Sequence, residues 1–216
     1  MLRGRNVAFP QAAQTAEGCA RIVRRMKTNT PAVTGSAPTT LTRWAIDPGH
    51  SAVGFSVRHL MITNVRGEFG TFRGDVYFDP SDLEATRVEA TIDAASINTR
   101  EAKRDADLRS GLFFDAESHP TLKFVSKGAR ASSSGDLEVT GDLTIRGVTR
   151  PVALSVREIS APQTDMRGLI RIGATASAQI KRSDFGMTWN KALDTGGVVV
   201  GDLVSITLDL SLVKAG

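Results

Sequence analysis

From Trp44 onward, apolar and polar residues alternate along most of the chain. Val88, Ala90 and Ile92 alternate with Glu89, Thr91 and Asp93. Leu137, Val139, Gly141, Leu143 and Ile145 alternate with Glu138, Thr140, Asp142 and Thr144. Val204, Ile206, Leu208, Leu210 and Leu212 do the same with Ser205, Thr207, Asp209 and Ser211. A period of two sends successive side chains to opposite faces of a strand, so each run has one apolar face and one facing water. Five further stretches fit with less regular alternation: 52–59, 65–79, 121–127, 152–159 and 169–181. Within 65–79 the apolar phase shifts between Phe69 and Phe72, near Gly70, as a β-bulge or sharp bend would produce. Turn-forming residues separate the runs at Asp79-Pro80-Ser81-Asp82, Ser134-Gly135-Asp136, Gly147 through Pro151, and Gly196-Gly197. Only 101–110 reads as a helix. The pattern predicts an all-β chain of about eight strands with one or two helical turns.

Single-faced strands in this number close as a barrel or pair as a sandwich. An eight-stranded barrel is narrow enough for side chains to fill, or wide enough to hold one small ligand. Ala174, Ala176 and Ala178 occupy the apolar face of a strand that also carries Ile170, Ile172 and Ile180. Alanine fills little volume and is a poor strand former. Three in succession leave space that either large facing side chains or a ligand must occupy, and the pattern alone leaves both readings open.

The chain has 216 residues and a formal charge of +4, with 27 basic and 23 acidic side chains. The location of the charge matters more than its sum. Residues 1–43 hold seven basic side chains (Arg3, Arg5, Arg21, Arg24, Arg25, Lys27, Arg43) and one acid, Glu17, leaving 44–216 with 20 basic and 22 acidic. The folded part is therefore slightly acidic, which argues against a nucleic-acid partner. Residues 1–43 are expected to be a disordered basic extension and linker, and 44–216 a single barrel domain. Cys19, the lone cysteine, excludes an intrachain disulfide. Glu17 beside it and the lack of an upstream apolar stretch argue against a lipoprotein box, and the polar residues after Arg24-Arg25 argue against twin-arginine export. Without a convincing signal peptide the expected location is cytoplasmic, and Met26 is a candidate start. No apolar run approaches the roughly 20 residues of a membrane-spanning helix, so no integral membrane segment is expected.

Candidate chemistry is sparse. His50, His59 and His119 lack a metal-ligand spacing, so no metal is expected. No serine sits in a nucleophile elbow, Gly141, Gly147, Gly196, Gly197 and Gly201 form no phosphate-cradling loop, and no catalytic residue is expected. Asp105 and Asp184 lie beside Arg104 and Arg182 and are expected to pair with them structurally. Arg58 and His59, ending a strand, are the candidates for meeting a polar ligand head at the barrel mouth.

Four stretches together resemble the YceI-like family. They are Trp44-Ala45-Ile46-Asp47-Pro48-Gly49-His50 running on to Arg58-His59; Arg104-Asp105-Ala106-Asp107-Leu108-Arg109 running on to Phe113-Phe114-Asp115; Gly141 through Pro151-Val152; and Arg182-Ser183-Asp184-Phe185-Gly186-Met187-Thr188-Trp189-Asn190. Asp107 departs from the pattern, since relatives commonly have histidine there. The resemblance implies an eight-stranded antiparallel, lipocalin-like β-barrel that binds a polyisoprenoid, a quinone tail or a similar long-chain lipid, often as a homodimer. It implies no other cofactor and no enzymatic activity. On the apolar faces, Phe55, Val57, Phe72, Val76, Ile92, Phe124, Leu143, Ala174, Ala176, Ile206 and Leu208 are expected to line the interior. Leu108, Phe113, Phe114, Phe185 and Trp189 are expected to close its ends. At about 0.8 kcal/mol per methylene-sized unit, roughly twenty buried units give on the order of 16 kcal/mol before ordering costs. An enzyme holding an apolar substrate and a fully packed interaction barrel are the alternatives.

Overall fold

The computed structural model describes residues 41–79, 82–132, 136–194 and 196–216. The basic extension with Cys19, Arg24-Arg25 and Met26 lies outside the described residues, as do Pro80, Ser81, Ser134 and Gly135 of the predicted turns. The strands are β1 (Thr42–Ile46), β2 (Ala52–His59), β3 (Thr63–Phe69), β4 (Phe72–Phe78), β5 (Arg87–Asp93), β6 (Ile97–Asn98), β7 (Thr121–Ala131), β8 (Leu137–Ile145), β9 (Val148–Arg157), β10 (Gln163–Thr164), β11 (Ile170–Lys181) and β12 (Val200–Lys214). Among the described residues there is one α-helix, α1, which spans Ala102–Arg109.

Eight of these strands close a ring in the order β1-β4-β5-β7-β8-β9-β11-β12, with β12 pairing back onto β1. Every pairing is antiparallel. The barrel expected from the sequence is thus present, with three of its staves broken. Trp44–His59 splits into β1 and β2, which share β12 as a neighbour: β1 meets its end at Leu212–Lys214, and β2 its stretch from Val200 to Asp209. β3 and β4 part at Gly70-Thr71, where the apolar phase shifts. β6 continues β5 after a one-turn 3-10 helix at Ala94–Ser96 and pairs with β3.

The break after β1 is held by charge. Asp47 caps a 3-10 turn at Pro48–His50, accepting from the Gly49 N–H at 3.0 Å. Its other oxygen accepts from Arg171 Nη1 at 2.6 Å and lies 2.8 Å from His50 Nδ1. The same guanidinium donates to Asp165 at 2.7 Å, which ties the β10–β11 hairpin to the break. The Arg171 hydrogen bond, aided by His50, holds the Asp47 carboxyl at about 2 against an ordinary 3.8. A carboxyl depressed in the folded state stabilises the fold fully above its unfolded value and loses that contribution as pH falls through the folded value. The group is 20% exposed, and the shift corresponds to about 2 kcal/mol. Urea unfolding from pH 5 to pH 2 should therefore cost the wild type about 2 kcal/mol more than D47N. Parallel pH profiles for the two proteins would dismiss this role for Asp47.

One predicted turn is present at Gly147 but shorter than expected. Gly147 through Pro151 is not a loop: β8 and β9 join by a two-residue hairpin at Arg146 (φ 51°) and Gly147 (φ 73°), and β9 then runs through Pro151. Positive φ at both central residues gives the hairpin the twist its strands require. Pro151 is tolerated because β9 pairs with β11 only at Ser155–Arg157, so the missing N–H faces an unpaired edge. A 3-10 turn at Arg182–Phe185 packs against β9, β11 and β12 beside that stretch.

The expected acid–base pairs also differ in detail. Asp105 accepts from the Thr99 N–H at 2.9 Å and from its hydroxyl, and Arg104 Nε donates to that hydroxyl at 2.7 Å. Arg109 adds bonds to the carbonyls of Ala95 and Ile97, so the charged face of α1 is clamped to the segment around β6. Arg182 does not meet Asp184. It is 5% exposed and donates to the carbonyls of Met187, Trp189, Val200 and Gly201.

Candidate ligand cavity

The inward faces of the ring strands enclose an apolar cavity of about 180 Å³. An apolar cavity of roughly 150 Å³ stays dry and takes up benzene-sized ligands, so this space suits hydrocarbon rather than water. Thirty of the described residues line it, and among them only Arg73 and Thr86 have polar side chains. Each ring strand contributes by alternation. β4 supplies Phe72, Val76 and Phe78; β5 supplies Val88, Ala90 and Ile92; β7 supplies Leu122 and Phe124; β8 supplies Leu137, Val139, Leu143 and Ile145. β9 adds Val152, Leu154 and Val156, β11 adds Ile172, Ala174 and Ala176, and β12 adds Ile206, Leu208, Leu210 and Leu212. Gly141 breaks the β8 series for a steric reason. A Cβ there would stand 2.6 Å from the Phe124 ring and 2.5 Å from the Val125 carbonyl oxygen, so the glycine makes room for that ring.

One end of the cavity is closed. Phe55 and Phe69 face the cavity with ring centroids 5.8 Å apart, and Phe114 stands edge-on to Phe69 at 5.7 Å. Behind them the core continues without lining the cavity, through Ala94, Ile97, Phe185 and Met187, with Leu108 packed against this cluster. Phe185 is 1% exposed. Phe113 packs on Trp189 at 5.5 Å, and Trp189 remains 41% exposed.

Of the residues expected to line the interior, Phe55, Phe72, Val76, Ile92, Phe124, Leu143, Ala174, Ala176, Ile206 and Leu208 do so. Val57 does not. It shares the face of Val53 and Phe55, but it pairs with Val65, two residues beyond the Phe55 row and past the aromatic floor. Arg58 and His59 lie farther still, at the β2–β3 turn, where Arg58 Nε donates to the Met61 carbonyl; neither lines the cavity. They therefore stand at the closed end and not at a mouth. Leu108, Phe114 and Phe185 back the floor, and Phe113 with Trp189 forms a layer outside it. Ala178 falls short of the cavity, while Ile46, Val53, Phe69, Ile159 and Thr86 join it unforeseen. Alternation marks the first three as apolar positions. Thr86 lies outside strands, where periodicity carries no signal, and Ile159, the end of the stretch read as 152–159, falls beyond β9 and out of phase with Val152, Leu154 and Val156.

His50 ends a 3-10 turn, His59 ends β2 and His119 lies in the connection before β7, and among the described residues no group of three His, Cys, Asp or Glu side chains is placed to hold a metal. No helix among the described residues is long and apolar enough to cross a membrane.

The model of the YceI-like domain matches residues 44–212. The chain belongs to the YceI-like family. It is 35% identical over 161 residues to a UPF0312 protein of Staphylococcus aureus strain MSSA476, covering 74% of this chain and 91% of that one. Among solved structures it resembles BcnA of Burkholderia cenocepacia (TM-score 0.63, 27% identity, 77% of this chain and 98% of the other). It resembles the YceI protein of Campylobacter jejuni similarly (TM-score 0.62, 30% identity, 73% and 90%). The fold is shared with a polyisoprenoid-binding domain from Saccharophagus degradans at 18% identity (TM-score 0.58, 81% and 99%).

Proposed function

We propose that this YceI-like protein holds a long-chain lipid of polyisoprenoid or isoprenoid-quinone type in its barrel, and acts by sequestering or carrying it. The observation that carries this reading is a cavity wall of thirty residues with two polar side chains. Those two do not make a catalytic pair. Arg73 pairs with Thr91, and Thr86 lies five residues before Thr91, roughly 16 Å away along the strand direction. The Saccharophagus domain, described as polyisoprenoid-binding, lends support from a shared fold.

The dimensions set the length of chain that fits. The lining spans Phe72–Phe78 on β4 and Ile206–Leu212 on β12, roughly 20 Å along the strands and about 15 Å along a barrel axis inclined at about 40° to them. At about 1.2 Å of reach per covalent bond, an extended chain running that whole length is about 12 to 16 atoms long; the 180 Å³ of open space seats about seven of them, and the rest enter only as lining side chains shift. Burying that many methylene-sized units contributes about 10–13 kcal/mol gross, less than the twenty-unit expectation. Organic extraction of purified protein followed by mass spectrometry should release a stoichiometric lipid whose hydrocarbon portion is at least that long. A clean extract from protein that also refuses added long-chain lipid would end the carrier reading.

A further inference from the structure

The hairpin that joins β10 to β11 carries three exposed apolar side chains within five positions. Met166 is fully exposed, and Leu169 and Ile170 are 41% and 37% exposed. Single exposed apolar residues are ordinary, but a cluster on a projecting tip marks a contact surface. This tip does project. β10 pairs only with Ile170 and Arg171, and β11 meets β12 from Arg171–Val213 inward and β9 only at Thr175–Ser177. Residues 165–169 therefore pair with no strand of the ring. They are nonetheless ordered: the Asp165 N–H donates to the Leu169 carbonyl at 2.9 Å, and the Gly168 N–H to the Asp165 carbonyl at 3.0 Å. The base is fixed to the barrel by Arg171, bonded to both Asp165 and Asp47, and by Ser160 Oγ, which accepts from the Gly173 N–H at 2.8 Å.

The hairpin stands at the end of the barrel away from the aromatic floor. There β1 and β11 begin and β4, β9 and β12 end. By alternation Ile170, Ile172, Ala174 and Ala176 share one face of β11; the last three line the cavity, and Ile170 is the next position out. Ile159, on the segment leading into β10, lines the cavity as well. An apolar track thus runs from the projecting tip into the bore. Exposed apolar side chains at the closed end differ in this respect. Ile62 is 74% exposed at the β2–β3 turn, and Trp189 packs on Phe113, but neither lines the cavity.

Charge selects what the tip meets. Most charges on this rim are matched: Arg43 with Asp75, Arg130 with Glu138, Arg157 with Asp136 and Arg171 with Asp165. Exposed Glu84 and Glu158 offset exposed Arg167, at the tip, and Lys214, at the end of β12. The positive surplus comes from the chain before β1. Residues 1–40 hold six basic side chains against the one acid Glu17, and this segment joins the barrel on the same rim, where Thr42 opens β1 in register with Phe78. We infer that the β10–β11 hairpin is a finger for an anionic membrane surface. Met166, Leu169 and Ile170 enter the interface, Arg167 and the basic segment meet lipid phosphates, and the end of the bore away from the floor is turned toward the bilayer. A small apolar anchor or a basic stretch alone gives weak, reversible attachment, and the two together hold firmly.

Flotation of the full chain with vesicles tests this, using phosphatidylcholine alone and phosphatidylcholine with about one-third phosphatidylglycerol. The wild type should bind the anionic vesicles at least tenfold more tightly than the neutral ones, and lose most of that excess at high salt. M166S/L169S should bind the anionic vesicles weaker by about tenfold or more, while I62S, at the closed end, should match the wild type. Both hairpin positions are exposed, so the double variant should melt with the wild type. Equal vesicle binding by wild type and M166S/L169S overturns the inference, because the basic segment then acts alone, and so does failure of the wild type to float with anionic vesicles. If the double variant instead splits an oligomer in light scattering while vesicles are ignored, the hairpin meets a second copy of this chain and the membrane assignment falls. Flotation is read whatever the cavity holds, so a clean organic extract, which ends the carrier reading, leaves the membrane result standing.

Discussion

A176F is expected to lower affinity for a long-chain ligand by roughly a thousandfold or more while the barrel stays folded. Ala176 is 4% exposed, lines the cavity at mid-length, and is flanked by Leu208 on one neighbouring strand and Val156 on the other. A benzyl side chain there takes the room of about six or seven methylene units, each worth about 0.8 kcal/mol to a bound chain. The loss of about 5 kcal/mol converts to more than three decades in Kd. Because the ring fills existing space, the usual penalty for overpacking is partly relieved. Titration with a fluorescent long-chain probe measures the affinity, and circular dichroism with thermal melting checks the fold. Undiminished binding by a folded A176F protein would place the ligand somewhere other than this cavity.

The largest effect on stability is expected at Arg182. Its guanidinium is buried, and burial pulls its pKa down from the ordinary arginine range. It remains worthwhile structurally because four backbone carbonyls accept from it, those of Met187 and Trp189 after the 3-10 turn and those of Val200 and Gly201 at the start of β12. R182M keeps much of the apolar stem and leaves those carbonyls short of a donor. A cost of about 3–5 kcal/mol is expected, from hydrogen bonds to a charged group together with the desolvated acceptors left behind. Urea unfolding measures it. A change below about 1 kcal/mol would mean that water or a rearranged loop satisfies the carbonyls as well as Arg182 does.

The strands were legible because one face of each is apolar, and the shift between Phe69 and Phe72 marked the division of β3 from β4. What alternation cannot report is position along the barrel axis. Val57 and Phe55 are equivalent by pattern, and only the pairing of Val57 with Val65 places it past the floor. Ala178 was grouped with Ala174 and Ala176 for the same reason. The Asp47 break depends on Arg171, 124 residues away, a partner that no local spacing reveals. Pro151 read as a turn because proline lacks the N–H that a strand paired on both sides needs, whereas the ladder of β9 with β11 covers three residue pairs and leaves that side of Pro151 open. Thr86 escaped notice because it stands in a connection between strands.

The packed rings of Phe55, Phe69 and Phe114 have a consequence for selectivity. They give the bore a blind bottom, so a guest's tail can advance only until it touches aromatic carbon. Up to that depth every added carbon gains contact on all sides; beyond it the surplus must crumple or trail into solvent, where it gains nothing. Such a vessel sorts its contents by stature as well as by greasiness, with the sorting done by three phenylalanines that have no polar chemistry of their own.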